Sequence, residues 1–196
     1  VMTTWIHAGR LVSGPSWMAV ANPWVRVVDG VIAEVVTTDP NVGDARLLDF
    51  PGATLMPGLI DGHTHLAFGG DGTPMADIAH EDTVAVQFRT LHNAQVTLAS
   101  GVTTARDCGG PGFAVPAARD AIASGAFLGP RILSCAMPIT TTAGHLHYCG
   151  AEADSTPELR KTVRAFAKAG VDFIKVCATG GANTPRSNIY TPQYSL

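Results

Sequence analysis

The sequence predicts an α/β fold built on a parallel sheet, preceded by a small β-rich unit, and three observations support it. After Pro57 the chain alternates apolar runs with helix-spaced stretches. Three times a helical stretch closes on a glycine (Gly101, Gly125, Gly170) and a strand-like run follows. Residues 5 to 50 are instead rich in Val, Ile and Trp, with frequent Gly and Pro.

In the β-rich unit, Trp24-Val-Arg-Val-Val-Asp-Gly-Val-Ile-Ala-Glu-Val35 contains two strand-like runs joined at Asp29-Gly30, a hairpin signal. The first strand of the second unit follows the turn-forming Pro57-Gly58 and reads as buried through "LIDGHTHL", residues 59–66. A helix is expected from about Asp82 through Val84, Phe88, Leu91 and Leu98, stopping at Gly101 before the strand Val102-Thr-Thr-Ala-Arg106. The next helix spans roughly Phe113 to Ser124, and Gly129-Pro130 leads into the strand Arg131-Ile-Leu-Ser-Cys-Ala136. Ser155-Thr-Pro-Glu158 is a capping box with proline in the first turn; that helix ends at Gly170 and leads into the strand Val171-Asp-Phe-Ile-Lys-Val-Cys177.

Apolar strands joined by right-handed crossovers suit either a doubly wound sheet or a (β/α)8 barrel. A full barrel needs about 250 residues, whereas residues 58–196 supply four strands and three crossover helices. The chain therefore looks like the first half of a barrel, with residues 1–56 as a small β-domain and 57–196 as barrel strands one to four.

Composition narrows the function classes. A formal charge of −3 and 46% hydrophobic residues suit a globular protein with a real core, and exclude disordered or collagen-like chains. No apolar stretch is long enough to span a membrane and no leader pattern opens the chain, so a cytoplasmic, non-membrane protein is expected. The four cysteines, Cys108, Cys135, Cys149 and Cys177, form no CxxC pair and read as buried thiols. Lys and Arg are spread singly, which argues against nucleic acid as a partner.

Two positions carry chemistry. His63 and His65 lie one residue apart at the end of an apolar strand, so alternation points both to one face. Neutral imidazole is a common nitrogen ligand for zinc, and one strand holds two of them convergent. A bare HxH is more often a polar strand end; the apolar strand after Pro57-Gly58 favours metal binding here. Lys175 sits within Phe173-Ile-Lys-Val-Cys177, where a solvated ammonium has no natural place. By alternation it shares a face with Phe173 and Cys177, while Ile174 and Val176 face the helices. A desolvated neutral amine can add carbon dioxide to give a carbamate that bridges two cations. The plainer reading is a lysine paired with Asp172 or Asp107.

"LMPGLIDGHTHL", "GVTTARDCGG", "GHLH" and "VDFIKVCATGG" together resemble the amidohydrolase superfamily, in the branch of Xaa-Pro dipeptidases and imidazolonepropionase-like proteins. The resemblance covers nearly the whole chain. It implies a (β/α)8 TIM barrel with a small N-terminal β-sandwich. It also implies a hydrolase of carbon–nitrogen bonds that cleaves a dipeptide or N-acyl amino acid with a metal-activated hydroxide. His63 and His65 match strand-one metal ligands, and Lys175 matches the carboxylated lysine that bridges two divalent ions, usually zinc. His145 resembles a substrate-binding loop histidine, although "GHLHYCG" also offers His147 for that part. Histidines from strands five and six and a general-base aspartate from strand eight are expected outside this chain.

A half barrel leaves sheet edges and an inner wall uncovered. The remainder of the barrel is therefore expected on a longer or second chain, and the family resemblance is compatible with a homo-oligomer. Two other readings stand beside the binuclear hydrolase: a mononuclear deaminase-like enzyme, which has no role for Lys175, and a non-catalytic scaffold or inactive fragment. Asp107 reads as a structural acceptor for loop amides. Gly180-Gly181 lacks the pattern of a nucleotide loop, and His7, His80 and His92 read as surface or packing residues.

Overall fold

The computed structural model describes residues 2–195. The chain divides into two compact units, Val1–Pro57 and Gly58–Leu196.

In the first unit, β1 (Thr3–Val12), β2 (Ala19–Ala21), β3 (Trp24–Val28), β4 (Val31–Val36) and β5 (Arg46–Leu55) form one mixed five-stranded sheet. The long β1 is its hub: it pairs antiparallel with β3 and β2 along one edge and parallel with β5 along the other. Because β1 is long enough to host all three partners, these strands join one sheet among the described residues. The β3–β4 hairpin turns at Asp29-Gly30 as expected. Both residues have positive φ, 48° and 82°, the turn geometry whose twist matches the flanking strands. Trp5, Ala8, Leu11 and Val25 are buried, and His7 stacks on Trp24 with its Nδ1 2.6 Å from Asp49.

In the second unit, β6 (Leu59–Thr64), β7 (Val102–Asp107) and β8 (Arg131–Ser134) form a parallel sheet in the order β6-β7-β8, with α1 (Thr83–Ala99) and α2 (Ala114–Ala123) as crossovers. A 3-10 turn (Met75–His80) precedes α1; β9 (Ile139–Thr140) pairs parallel with β10 (Ala151–Glu152), and α3 (Thr156–Lys168) follows. Asp82 caps α1 by accepting from Val84 N and Ala85 N at 2.9 and 3.2 Å. Glu158 reaches back to Ser155 N at 2.9 Å, completing the predicted capping box of α3. Gly101, Gly125 and Gly170 all take positive φ just beyond their helices, as the punctuation predicts. Leu66, Val86, Ala94, Val115 and Ile132 pack between sheet and helices, and Ile139, Ala153 and Phe166 form a second cluster under α3. No described helix is long and apolar enough to cross a membrane.

Two expectations are corrected. The first is the burial of β6: Leu59 and Ile60 are 49% and 73% exposed, because among the described residues β6 pairs only with β7. The second is the strand Val171–Cys177, which is reduced to an isolated bridge between Ile139 and Val176. Its alignment beside the preceding strand survives, with Asp172 N donating to Ser134 O at 2.9 Å, Ile139 N to Lys175 O at 2.8 Å and Cys177 N to Ile139 O at 2.9 Å. Three features interrupt the ladder. The Asp172 carboxylate, not a strand carbonyl, accepts from Ser134 N at 2.8 Å. Ala136 takes a left-handed φ of 61°, and Pro138 has no N–H to give. Ile174 still packs against the cluster under α3, but Val176 stays 45% exposed and does not share that burial.

Candidate metal centre

β6 ends where the two histidines begin to matter. His63 lies on the exposed end of the strand and His65 just beyond it, half buried. Their rings are 5.3 Å apart between centroids and tilted by 53°, with His65 edge-on to Phe68. Asp61 accepts from His63 N at 3.0 Å and so fixes the backbone ahead of the pair.

The protonation of His65 follows from its partner. Nδ1 lies 2.6 Å from the carbonyl oxygen of Gly109, and a carbonyl only accepts, so Nδ1 carries the proton and Nε2 keeps its lone pair. Burial pulls the pKa of His65 below the ordinary value; the Gly109 bond opposes it, and the Lys175 charge adds to the fall. Burial also lowers His63, reinforced by Lys175. Both imidazoles are thereby held toward the neutral form that can ligate a metal.

Lys175 is half buried, and among the described residues no carboxylate pairs with it. The two acids that could have served are engaged elsewhere. Asp172 accepts from Ser134 N and from Arg119 Nη1 at 2.6 Å. Asp107, fully buried, accepts from Leu66 N at 2.7 Å and Gly109 N at 2.9 Å. Burial pushes the Asp107 carboxyl up to about 6, against the pull of those two amides. This agrees with the structural reading of Asp107 and leaves the simple salt bridge to Lys175 unmade.

His145 belongs to the same neighbourhood. Burial lowers its pKa, followed by the charges of Lys175 and His65. Its Nδ1 is 2.9 Å from Thr184 Oγ1, which also accepts from Leu146 N at 2.9 Å. Gly181 lies against this ring: a Cβ there would fall 2.3 Å from His145 Cε1. His147 is exposed and rests edge-on against Tyr148, whereas His145 is half buried and feels the charge of Lys175.

Among the described residues no three His, Cys, Asp or Glu side chains converge as a metal site. Sequence reasoning missed Arg106, whose guanidinium lies 4.2 Å over the Phe173 ring and donates to Gly62 O at 3.2 Å. The alternation of β7 could have placed it on the same face as Thr104. All four cysteines are free and buried, as expected.

Residues 54–194 match the amidohydrolase family. The chain is 30% identical over 169 residues to an ochratoxinase of Aspergillus niger, covering 72% of this chain and 34% of that protein. It is 52% identical over 44 residues to an imidazolonepropionase of Klebsiella pneumoniae, covering 22% and 11%. The solved structure of a Xaa-Pro dipeptidase with bound methionine in the active site superposes with a TM-score of 0.85 at 27% identity, covering 98% of this chain and 51% of that one. The chain thus spans about a third to a half of the length of these longer relatives, and its β6-β7-β8 sheet with outer helices is consistent with part of a TIM barrel. It belongs to the amidohydrolase family.

Proposed function

We propose that this chain carries the first three protein ligands, His63, His65 and Lys175, of a binuclear zinc centre that hydrolyses an amide or peptide bond in a small substrate such as a dipeptide or N-acyl amino acid. The observation that carries the reading is His65: its Nδ1–H is committed to Gly109 O, so Nε2 is left as a lone-pair donor beside His63 and an unpaired lysine. That is the arrangement in which a histidine ligates a metal with its outer nitrogen fixed. Divalent ions held there supply a water of lowered pKa and polarise the scissile carbonyl.

The chain's own residues do the rest. Burial lowers the pKa of both His63 and His65, toward the neutral form that ligates a metal. Lys175, with no carboxylate partner among the described residues, would as the neutral amine add carbon dioxide and release its protons to solvent, giving an anionic carbamate able to ligate metal. His145, held through Nδ1 by Thr184 Oγ1, would contact and orient the substrate. The remaining ligands and the general-base aspartate would come from the other half of the barrel, and the substrate range from its loops.

The test is metal analysis by inductively coupled plasma mass spectrometry on the full-length protein, followed by a screen of dipeptides and N-acyl amino acids. Close to two equivalents of metal are expected, with hydrolysis lost in H65A and K175A. Metal content near zero, or unchanged in both variants, would overturn the proposal.

A further inference from the structure

We propose that Asp107 is a positioning residue for His65, clamping the backbone on both sides of the imidazole so that the Gly109 carbonyl holds the ring with Nε2 outward. This rests on the reading of His65 as a metal ligand.

The links form a closed circuit. Asp107 ends β7 and is 0% exposed. Its Oδ2 accepts from Leu66 N at 2.7 Å, and Leu66 is the residue directly after His65. Its Oδ1 accepts from Gly109 N at 2.9 Å, and the carbonyl of that same Gly109 accepts from His65 Nδ1 at 2.6 Å. One carboxylate therefore fixes both the main chain that carries the imidazole and the acceptor that sets its tautomer.

Gly109 adds its own constraint. Its φ of 116° is open to glycine, and a Cβ there would lie 2.6 Å from Pro138 Cδ, so the turn packs against the next strand's loop. Cys108 N donates to Thr64 O at 2.8 Å, tying β6 and β7 together on the other side of His65. A buried acid that served packing alone would not need both oxygens directed at residues flanking one imidazole.

An Asp107→Asn substitution tests this, because the isosteric amide can accept from only one of the two N–H groups and turns a donor toward the other. In metal-free, full-length protein with 15N-labelled histidine, two-bond proton–nitrogen correlation spectra report the tautomer of each imidazole. The wild type is expected to show His65 as the Nδ1–H form. D107N is expected to mix in the Nε2–H form and to weaken zinc binding by about 10- to 100-fold, the range typical of lost outer partners. Finding His65 as Nε2–H in the wild type overturns the inference without any variant. So does an unchanged tautomer in a folded D107N. A wild type that shows the Nδ1–H tautomer yet binds no zinc removes the proposed metal centre while leaving the clamp standing.

Discussion

Removing the Asp172 carboxylate should loosen the segment that carries Lys175, and the structure sets the size of the effect. Asp172 Oδ2 accepts from Ser134 N at 2.8 Å and from Arg119 Nη1 at 2.6 Å. Ser134 is 0% exposed, so Asp172→Ala strands a buried N–H, at about 1–3 kcal/mol. The ion pair adds less. The side chains of Arg119 and Asp172 are 16% and 31% exposed, and pairs near the surface are worth about 0–1 kcal/mol. The expected destabilisation of D172A is therefore roughly 1–4 kcal/mol. Arg119→Met leaves the bond to Ser134 intact and should cost about 1 kcal/mol or less. Asp172→Asn, which can keep the Ser134 bond through Oδ1, should fall between them. Urea unfolding of the three variants gives the ranking, and hydrogen exchange at the Ser134 amide gives the location. If D172A costs less than about 0.5 kcal/mol, or R119M costs as much as D172A, Asp172 does not stand in for a strand carbonyl and the account of the missing ladder fails.

Two other predictions concern the thiols and the loop histidine. Burial pushes Cys135 and Cys149 up to about 12, so at pH 8 only about one thiol in ten thousand is ionised. Iodoacetamide at that pH should leave both unmodified in the native protein and label all four cysteines after denaturation; rapid native labelling of either residue would contradict their burial. Gly181→Ala should displace the His145 ring, since the new Cβ would fall 2.3–2.5 Å from three of its atoms. In the full-length enzyme kcat/KM should drop about tenfold or more through misplacement of a substrate-orienting group, with metal content unchanged. Activity within twofold of wild type would remove His145 from the working site.

What could be read in the sequence was local. The Asp29-Gly30 turn, the capping box from Ser155 to Glu158 and the three helix-ending glycines each depend on φ or on a bond within a few residues, and each appears in place. The pairing of His63 with His65 needed only the period of a strand. What could not be read depends on partners far along the chain. The fourth strand gives way to a bridge because a side chain 38 residues from Ser134 takes its N–H, and neither propensity nor pattern reports that. The exposure of β6 reflects which strands flank it, not its own apolar residues. Asp107 was legible as an acceptor of loop amides, but Leu66 N lies 41 residues away.

These long-range bonds also explain why Lys175 is left as it is. Asp107 and Asp172 are the acids that the sequence offered as its salt-bridge partners, and each instead satisfies backbone amides. Asp107 holds the turn beside His65, and Asp172 holds the strand-like segment that bears Lys175. A buried N–H deprived of its acceptor costs more free energy than a partly exposed ion pair returns, so neither acid gains by turning to the lysine. The same two carboxylates that hold these segments thus withhold neutralisation from Lys175. Half-buried Lys175 is left without a carboxylate partner among the described residues, and its charge adds to burial in lowering the pKa values of His63, His65 and His145.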